Sequence, residues 1–495
     1  MSRRVSLSAA LVALAALLLA SCAAAATPEQ ASVEPRLPLA PCRLSAPGQA
    51  AETIAAECGT LTVPENRTTP GSRTIDLRVV VVPAINPGAG EPLLLLAGGP
   101  GQAASEAFIP LLPALTQVNL SRDLVLVDQR GTGASNPLSC PLEEIDVKLN
   151  NDPADPAVLD WWRNCLAALD ADPAQYTTEA AAYDLDAVRA ALGYEQVSLL
   201  GVSYGTRAAL AYLRLFPERV RALVLDGVVP PELPIGAAMG RDAQRALELT
   251  FAACEADEAC REAFPKLADD FAALLASLET EAPLVALADP FTAAPAEVRL
   301  TRDLAAATIH SLSYAPETTA LIPLLVRTAR EGDLRPLVAQ SLITARQLAD
   351  SVALGMRASV ICAEDAPRFP ADEEDESYLG DLMLRSLSAA CAVWPRGAVS
   401  TALSQPVNSD VPALLLSGER DPVTPPAYGE AVAAGLPNSL HIVAAGQGHN
   451  IFFRGCLPTL VAEFLAAGSA AGLDTSCVER LGPTPFFTSF TGPQP

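Results

Sequence analysis

The sequence is short of histidine, of basic residues and of long apolar runs. Three histidines, at 310, 441 and 449, serve 495 residues, and no CxxC pair occurs. Both facts argue against a zinc-type metal centre, which needs clustered imidazole or thiolate ligands. Neither a metal nor a cofactor is expected. Lys and Arg number 33 against 57 Asp and Glu, giving a formal net charge of −24. A chain of that sign repels polyphosphate and anionic lipid surfaces, so nucleic acid is excluded as a partner. After the amino-terminal segment no stretch has the length and apolarity of a transmembrane helix, and no internal repeat is present. Half of the residues are hydrophobic, which excludes wholesale disorder and supplies a large core.

The amino terminus reads as a targeting segment. Arg3 and Arg4 precede residues 5 to 20, which are almost wholly apolar or small. This is the grammar of an export signal rather than of a membrane span. The segment ends Leu19-Ala20-Ser21-Cys22, which resembles the lipobox of bacterial lipoproteins. That resemblance implies residues 1–22 as signal and lipobox, with Cys22 lipidated and the protein anchored to a membrane. Ordinary cleavage around Ala23 to Ala26 is the competing reading. The expected location is the bacterial cell envelope, on the periplasmic side or the cell surface, or the medium. Residues 23–40 read as a flexible tether. Setting Cys22 aside leaves an even set of ten cysteines, which an oxidising compartment converts to disulfides. Spacing does not fix their connectivity. Pairing sequential neighbours gives compact loops: Cys42–Cys58, Cys140–Cys165, Cys254–Cys260, Cys362–Cys391 and Cys456–Cys477.

Short apolar runs follow, at Leu93–Leu96, Leu124–Val127, Val197–Leu200 and Ala222–Leu225. Runs of this length fill a parallel sheet buried on both faces. Helical text separates the later ones, so the class is α/β. Residues 41–231 form the first part of this core. From 232 to 394 the text turns Ala/Leu/Glu-rich and helical, and includes the acidic run Asp372 to Glu376, read as a solvated loop. Sheet text resumes at Val411–Leu416 and Leu440–Val443. Residues 395–495 therefore complete the same core, and the helical stretch is an insertion into it.

Gly201-Val202-Ser203-Tyr204-Gly205 matches G-x-S-x-G. Five residues match by chance in a Gly/Ala-rich chain, but here a strand precedes and a helix follows. In that setting the glycines permit a sharp turn that lifts Ser203 to the sheet edge. A serine hydroxyl needs an adjacent base. His449 stands at a loop end after the final strand. His441 lies inside strand text and reads as structural, while His310 belongs to the helical insertion. The acid must fall between Ser203 and His449 in chain order. Asp421, directly after the strand 411–417, suits it, with Glu419 as the local rival. Gly98-Gly99-Pro100-Gly101 follows the strand at 93–96. The Gly99 N–H, with that of Tyr204, is the candidate oxyanion donor, and Gln102 a candidate at the entrance. A plain tight turn is the other reading of that loop.

These segments together resemble the proline iminopeptidase and tripeptidyl aminopeptidase family of α/β-hydrolases, from about residue 42 to 480. Gly98 to Gly101 resembles the family's HGGPG loop, with Ala97 in place of the usual His. Asp128 to Ser135 resembles its DQRGxGxS turn, in which Asp128 and Arg130 read as a local brace. Gly201 to Arg207 resembles its nucleophile turn, and Gly418 to Pro425 its acid loop. The resemblance implies a mostly parallel eight-stranded sheet with helices on both faces and a helical cap. It also implies an aminopeptidase that removes prolyl or short peptide units from free peptide amino termini, so short peptides are the expected partners. Glu364 and Asp365 are then the candidates for seating the substrate ammonium, which needs a paired negative charge when buried. The alternative is a carboxylic-ester hydrolase on the same scaffold, which has no use for such a seat.

Overall fold

The computed structural model describes residues 37–45, 53–88, 90–140, 155–370 and 375–493. The signal segment, Cys22, most of the expected tether and Asp372 to Glu374 lie outside the described residues. Nine strands make one sheet: β1 (Ala40–Leu44), β2 (Ile54–Pro64), β3 (Thr74–Val82), β4 (Leu93–Leu96), β5 (Leu124–Val127), β6 (Val197–Val202), β7 (Val220–Asp226), β10 (Ala413–Gly418) and β11 (Ser439–Ala444). A separate hairpin holds β8 (Leu284–Ala288) and β9 (Pro295–Arg299). The sheet order is β1-β2-β3-β5-β4-β6-β7-β10-β11. From β5 to β11 every pairing is parallel, while β1, β2 and β3 add an antiparallel flank. The sheet thus has one strand more than the eight expected. The extra one is β1, whose mostly exposed residues carry no apolar signature.

Alternation along the central strands feeds two cores, as a doubly covered sheet requires. Leu94, Leu96, Val125 and Leu199 pack beneath the helices Thr178–Leu192 and Tyr204–Leu215. Leu93, Leu95, Leu124 and Leu200 face the helix Leu457–Ala467, together with Phe108 and Phe452. The helix Thr178–Leu192 has both a start and a stop signal in its sequence. Thr177 accepts a hydrogen bond from Ala180 N, and Gly193 ends the helix in the left-handed region at φ 78°.

Between β7 and β10 the chain leaves the sheet and builds helices with a core of their own, including Leu247, Phe271, Ile309, Leu325 and Val338. The β8–β9 hairpin sits in this region, whose sequence reads as helical with few strand signals. Phe486 from the carboxyl-terminal segment packs into the same core, and Phe487 N donates to Ala320 O at 3.1 Å. All five expected disulfides are present: Cys42–Cys58, Cys140–Cys165, Cys254–Cys260, Cys362–Cys391 and Cys456–Cys477. Among the described residues no helix is long and apolar enough to cross a membrane.

The sheet register sets up the site. Leu96 is level with Gly201, Val202 with Asp226, and Asp226 with Leu416. Because these strands are parallel, the loops after β4, β6, β7, β10 and β11 all leave from one edge.

Candidate active site

Ser203 follows β6 and immediately precedes the helix Tyr204–Leu215. A side chain at Gly201 would overlap the Gly205 carbonyl, and one at Gly205 would overlap that of Leu96. Both positions must therefore be glycine for the helix to lie this close to the sheet. Ser203 itself has φ 56° and ψ −124°, a strained conformation for a residue with a Cβ. Hydrogen bonds hold it on both sides. Ser203 N donates to Asp226 O at 2.8 Å, and Thr206 N and Oγ1 donate to Ser203 O at 2.8 and 2.6 Å.

Asp421 and His449 come from the loops after β10 and β11. His449 Nδ1 lies 2.7 Å from Asp421 Oδ2, and Asp421 is fully buried. The carboxylate also accepts from Val423 N and Thr424 N, each at 2.8 Å, and from Thr424 Oγ1 at 2.7 Å. Burial opposes its charge, but the nearby His449 and these hydrogen bonds outweigh it and hold its pKa below the ordinary value. His449 moves the other way. Burial disfavours the imidazolium, yet the Asp421 carboxylate and its hydrogen bond raise the net pKa above the usual value. This pairing can orient an imidazole and stabilise its charged form.

The cap holds the histidine loop in place. His449 N donates to Tyr314 O at 2.7 Å, and the Tyr314 ring stands edge-on to the imidazole, 5.2 Å between centroids. His310 packs edge-on against Tyr314 from behind and is buried, which pushes its pKa down to about 4. His441 hydrogen-bonds Ser417 Oγ at 2.9 Å, away from the site.

Asp226, at the end of β7, was not singled out from the sequence. Its Oδ2 accepts from Ile451 N and Phe452 N at 2.7 and 2.8 Å, tying down the chain just past His449. Burial pushes its pKa up to about 7. The available signal was an acid directly behind the apolar run Ala222–Leu225. Thr424, inside the segment Gly418 to Pro425, carries a hydroxyl that touches both Asp421 and His449.

Gly99, Gln102, Ser203, Tyr204 and His449 all open on one cavity of about 230 Å³. Among the described residues the Gly99 and Tyr204 amides have no protein acceptor, so two N–H groups are available beside Ser203. The remaining wall is mainly apolar and comes largely from the cap, with Ile235, Met239 and Val352 among its members. A space of this size suits a small substrate.

Glu364 and Asp365 do not line this cavity. Glu364 accepts from Thr178 N and Thr178 Oγ1 at 2.6 and 2.8 Å, serving the amino-terminal end of the helix Thr178–Leu192. Burial, then the neighbouring Asp365 charge, raise its pKa to about 7. Asp365 is fully buried between Arg207 and Arg368, at 2.8 and 3.1 Å. The carboxylate that does line the cavity is Asp242, and the guanidinium is Arg357. Asp128 and Arg130 lie beneath. Asp128 accepts from Ser105 N and Oγ at 2.8 and 2.9 Å, and buried Arg130 forks onto Asp184 at 2.6 and 2.8 Å.

Comparison with known proteins agrees with this architecture. Residues 91–306 match the family described as alpha/beta hydrolase fold, and residues 376–477 the family described as TAP-like protein. Over 470 residues the chain is 30% identical to carboxylesterase B of Mycobacterium tuberculosis, spanning 86% of this chain and 87% of that one. It is 29% identical over 487 residues to serine protease Hip1 of the same species, spanning 88% and 90%. A tripeptidyl aminopeptidase of Streptomyces coelicolor is 33% identical over 196 residues, 35% of either chain. The chain belongs to the α/β-hydrolase superfamily. Within it, the protein is a hydrolase of the serine-nucleophile type.

Proposed function

We propose that the protein hydrolyses carboxylic esters of small acids, with Ser203, His449 and Asp421 as its catalytic triad. Ser203 Oγ attacks the acyl carbon while His449 takes its proton. The Gly99 and Tyr204 amides receive the oxyanion, and His449 returns the proton to the leaving alcohol. Water then deacylates the serine by the same route. The observation that carries the ester reading is the engagement of Glu364 and Asp365 inside the protein, which leaves a largely apolar wall around the nucleophile. The carboxylesterase relative, matched over most of both chains, supports it.

A second reading, removal of amino-terminal units from short peptides, is supported by Asp242, whose carboxylate lines the cavity and could receive an ammonium. The protease and aminopeptidase relatives favour it too. One experiment separates the two. The enzyme is given 4-nitrophenyl acetate and butyrate, then free and N-acetylated Pro- and Ala-Ala-Pro-anilides. The ester reading expects turnover of the esters alone, abolished in Ser203→Ala. Cleavage of free but not blocked anilides would establish the second reading instead. Export to an oxidising compartment, with Cys22 as the anchored residue, belongs to the same proposal. The five disulfides support it, and incorporation of labelled fatty acid that Cys22→Ala abolishes is its test.

A further inference from the structure

The cavity beside Ser203 carries charge of both signs, but only one is compensated. Asp242 accepts from the Tyr428 hydroxyl and lies 3.4 Å from Arg241 Nε. Arg357 is different. Its one side-chain hydrogen bond among the described residues is a long one, from Nη1 to Gly99 O at 3.3 Å, and no described carboxylate lies within ion-pairing distance. Burial also works against its charge, lowering its pKa.

Arg357 is nevertheless held firmly in place. It belongs to the helix Leu354–Glu364, which enters the site where Ala353 N donates to Gly101 O at 2.9 Å. The helix is fastened at its far end by Cys362–Cys391. A guanidinium fixed beside the oxyanion loop, largely removed from water and with no carboxylate in ion-pairing range, is a costly arrangement for the empty protein. It becomes favourable when an anion arrives. The planar fork of an arginine matches a carboxylate in particular.

We propose that Arg357 recognises a carboxylate carried by the substrate, so that the preferred esters are anionic ones with a second, free carboxyl group. This rests on the ester reading above, and deepens it from a bond type to a substrate class. Arg357 touches the substrate but takes no part in bond breaking.

The test compares charged and neutral partners that differ by one methyl group. Mono-4-nitrophenyl glutarate, with its charge on the acyl side, is set against its methyl ester. 4-Acetoxybenzoate, with its charge on the leaving side, is set against methyl 4-acetoxybenzoate. For one of the two pairs the native enzyme is expected to favour the acid in kcat/KM by about tenfold, the scale of a charge-assisted hydrogen bond. In Arg357→Met and Arg357→Gln that ratio falls to about one, and in Arg357→Lys part of it returns. The ratio is read within each variant, so any loss from disturbing the Gly99 loop cancels. A native ratio near one for both pairs overturns the proposal, as does a ratio that survives in Arg357→Met. Should no ester be cleaved, the ester reading fails separately, and Arg357 is read through labelling of Ser203 by a fluorophosphonate. Benzoate is then expected to slow labelling of the native protein more than benzamide does, and to lose that advantage in Arg357→Met. Equal protection by the two overturns it.

Discussion

The Thr424 hydroxyl donates to Asp421 Oδ2 at 2.7 Å and lies 3.1 Å from His449 Nδ1. With its proton directed at the carboxylate, its oxygen is left to accept from the imidazole N–H. The threonine thus closes a three-membered ring of hydrogen bonds that fixes the imidazole tautomer. Thr424→Val preserves shape and removes both contacts. We expect kcat on a small ester to fall by about tenfold, the worth of one such hydrogen bond. Burst labelling of Ser203 against steady-state turnover would locate the loss in the chemical steps.

The pH profile should report His449. The imidazole must be neutral to accept the Ser203 proton, so activity falls as pH drops through its pKa. That pKa is raised in the folded protein by the Asp421 carboxylate and, to a smaller degree, by Asp226, against the opposing effect of burial. The acid limb of kcat/KM is therefore expected above pH 6.5 or so. Asp421→Asn should move it to lower pH and cut the rate by on the order of 10⁴-fold. Asp226→Asn, which keeps an oxygen for Ile451 N and Phe452 N, should move the limb in the same direction. The linked stability follows in sign. The contribution of His449 is complete below its unfolded value near 6.5 and is lost as pH rises through the folded value.

Asp365 and Arg207 are a buried ion pair, and removing one partner strands the other. Asp365→Ala should destabilise the protein by about 3–5 kcal/mol, read as a lower urea midpoint with unchanged slope. The folded fraction should retain its KM for neutral esters, because Asp365 stands outside the cavity. A selective rise in KM for free-amine peptides would point instead to an ammonium seat at this position.

Cys362–Cys391 closes a loop of sequence separation 29, for which chain entropy gives about 3–4 kcal/mol of stabilisation. The double variant Cys362→Ala/Cys391→Ala should lose that much in chemical unfolding. Since the bridge ends the helix that carries Arg357, preference among charged esters should weaken in the same variant, measurable as a smaller acid-to-neutral ratio.

How much of this was legible in the sequence depends on how local each signal is. β4, β5, β6 and β10 are buried at every position, so their apolar runs stand out in the text. The strand ends then locate Ser203, Asp421 and His449 by chain order alone. β1 was invisible because its residues are mostly exposed and its pairing with β2 is all that makes it a strand. β9 was hidden for a similar reason, as no residue in it is fully buried. The cavity wall was illegible for a different reason. Asp242, Tyr314 and Arg357 come to the cavity beside Ser203 only through the packing of the cap, at sequence separations that no local pattern encodes. Glu364 and Asp365 show the converse, since a conspicuous acidic pair was claimed by Thr178 and Arg207, whose proximity only the fold creates.

The five bridges share one property: each joins a cysteine to the next among the ten bridged positions, and no loop encloses another. A chain threaded amino terminus first, and oxidised as it emerges, meets each native partner as the next thiol to arrive. Pairing in order of emergence then yields the native set without reshuffling. Cys22 is the thiol that can spoil this count, because it precedes Cys42 and would put every later pairing out of step by one. On the export route proposed above, modification of Cys22 would also take that thiol out of the count.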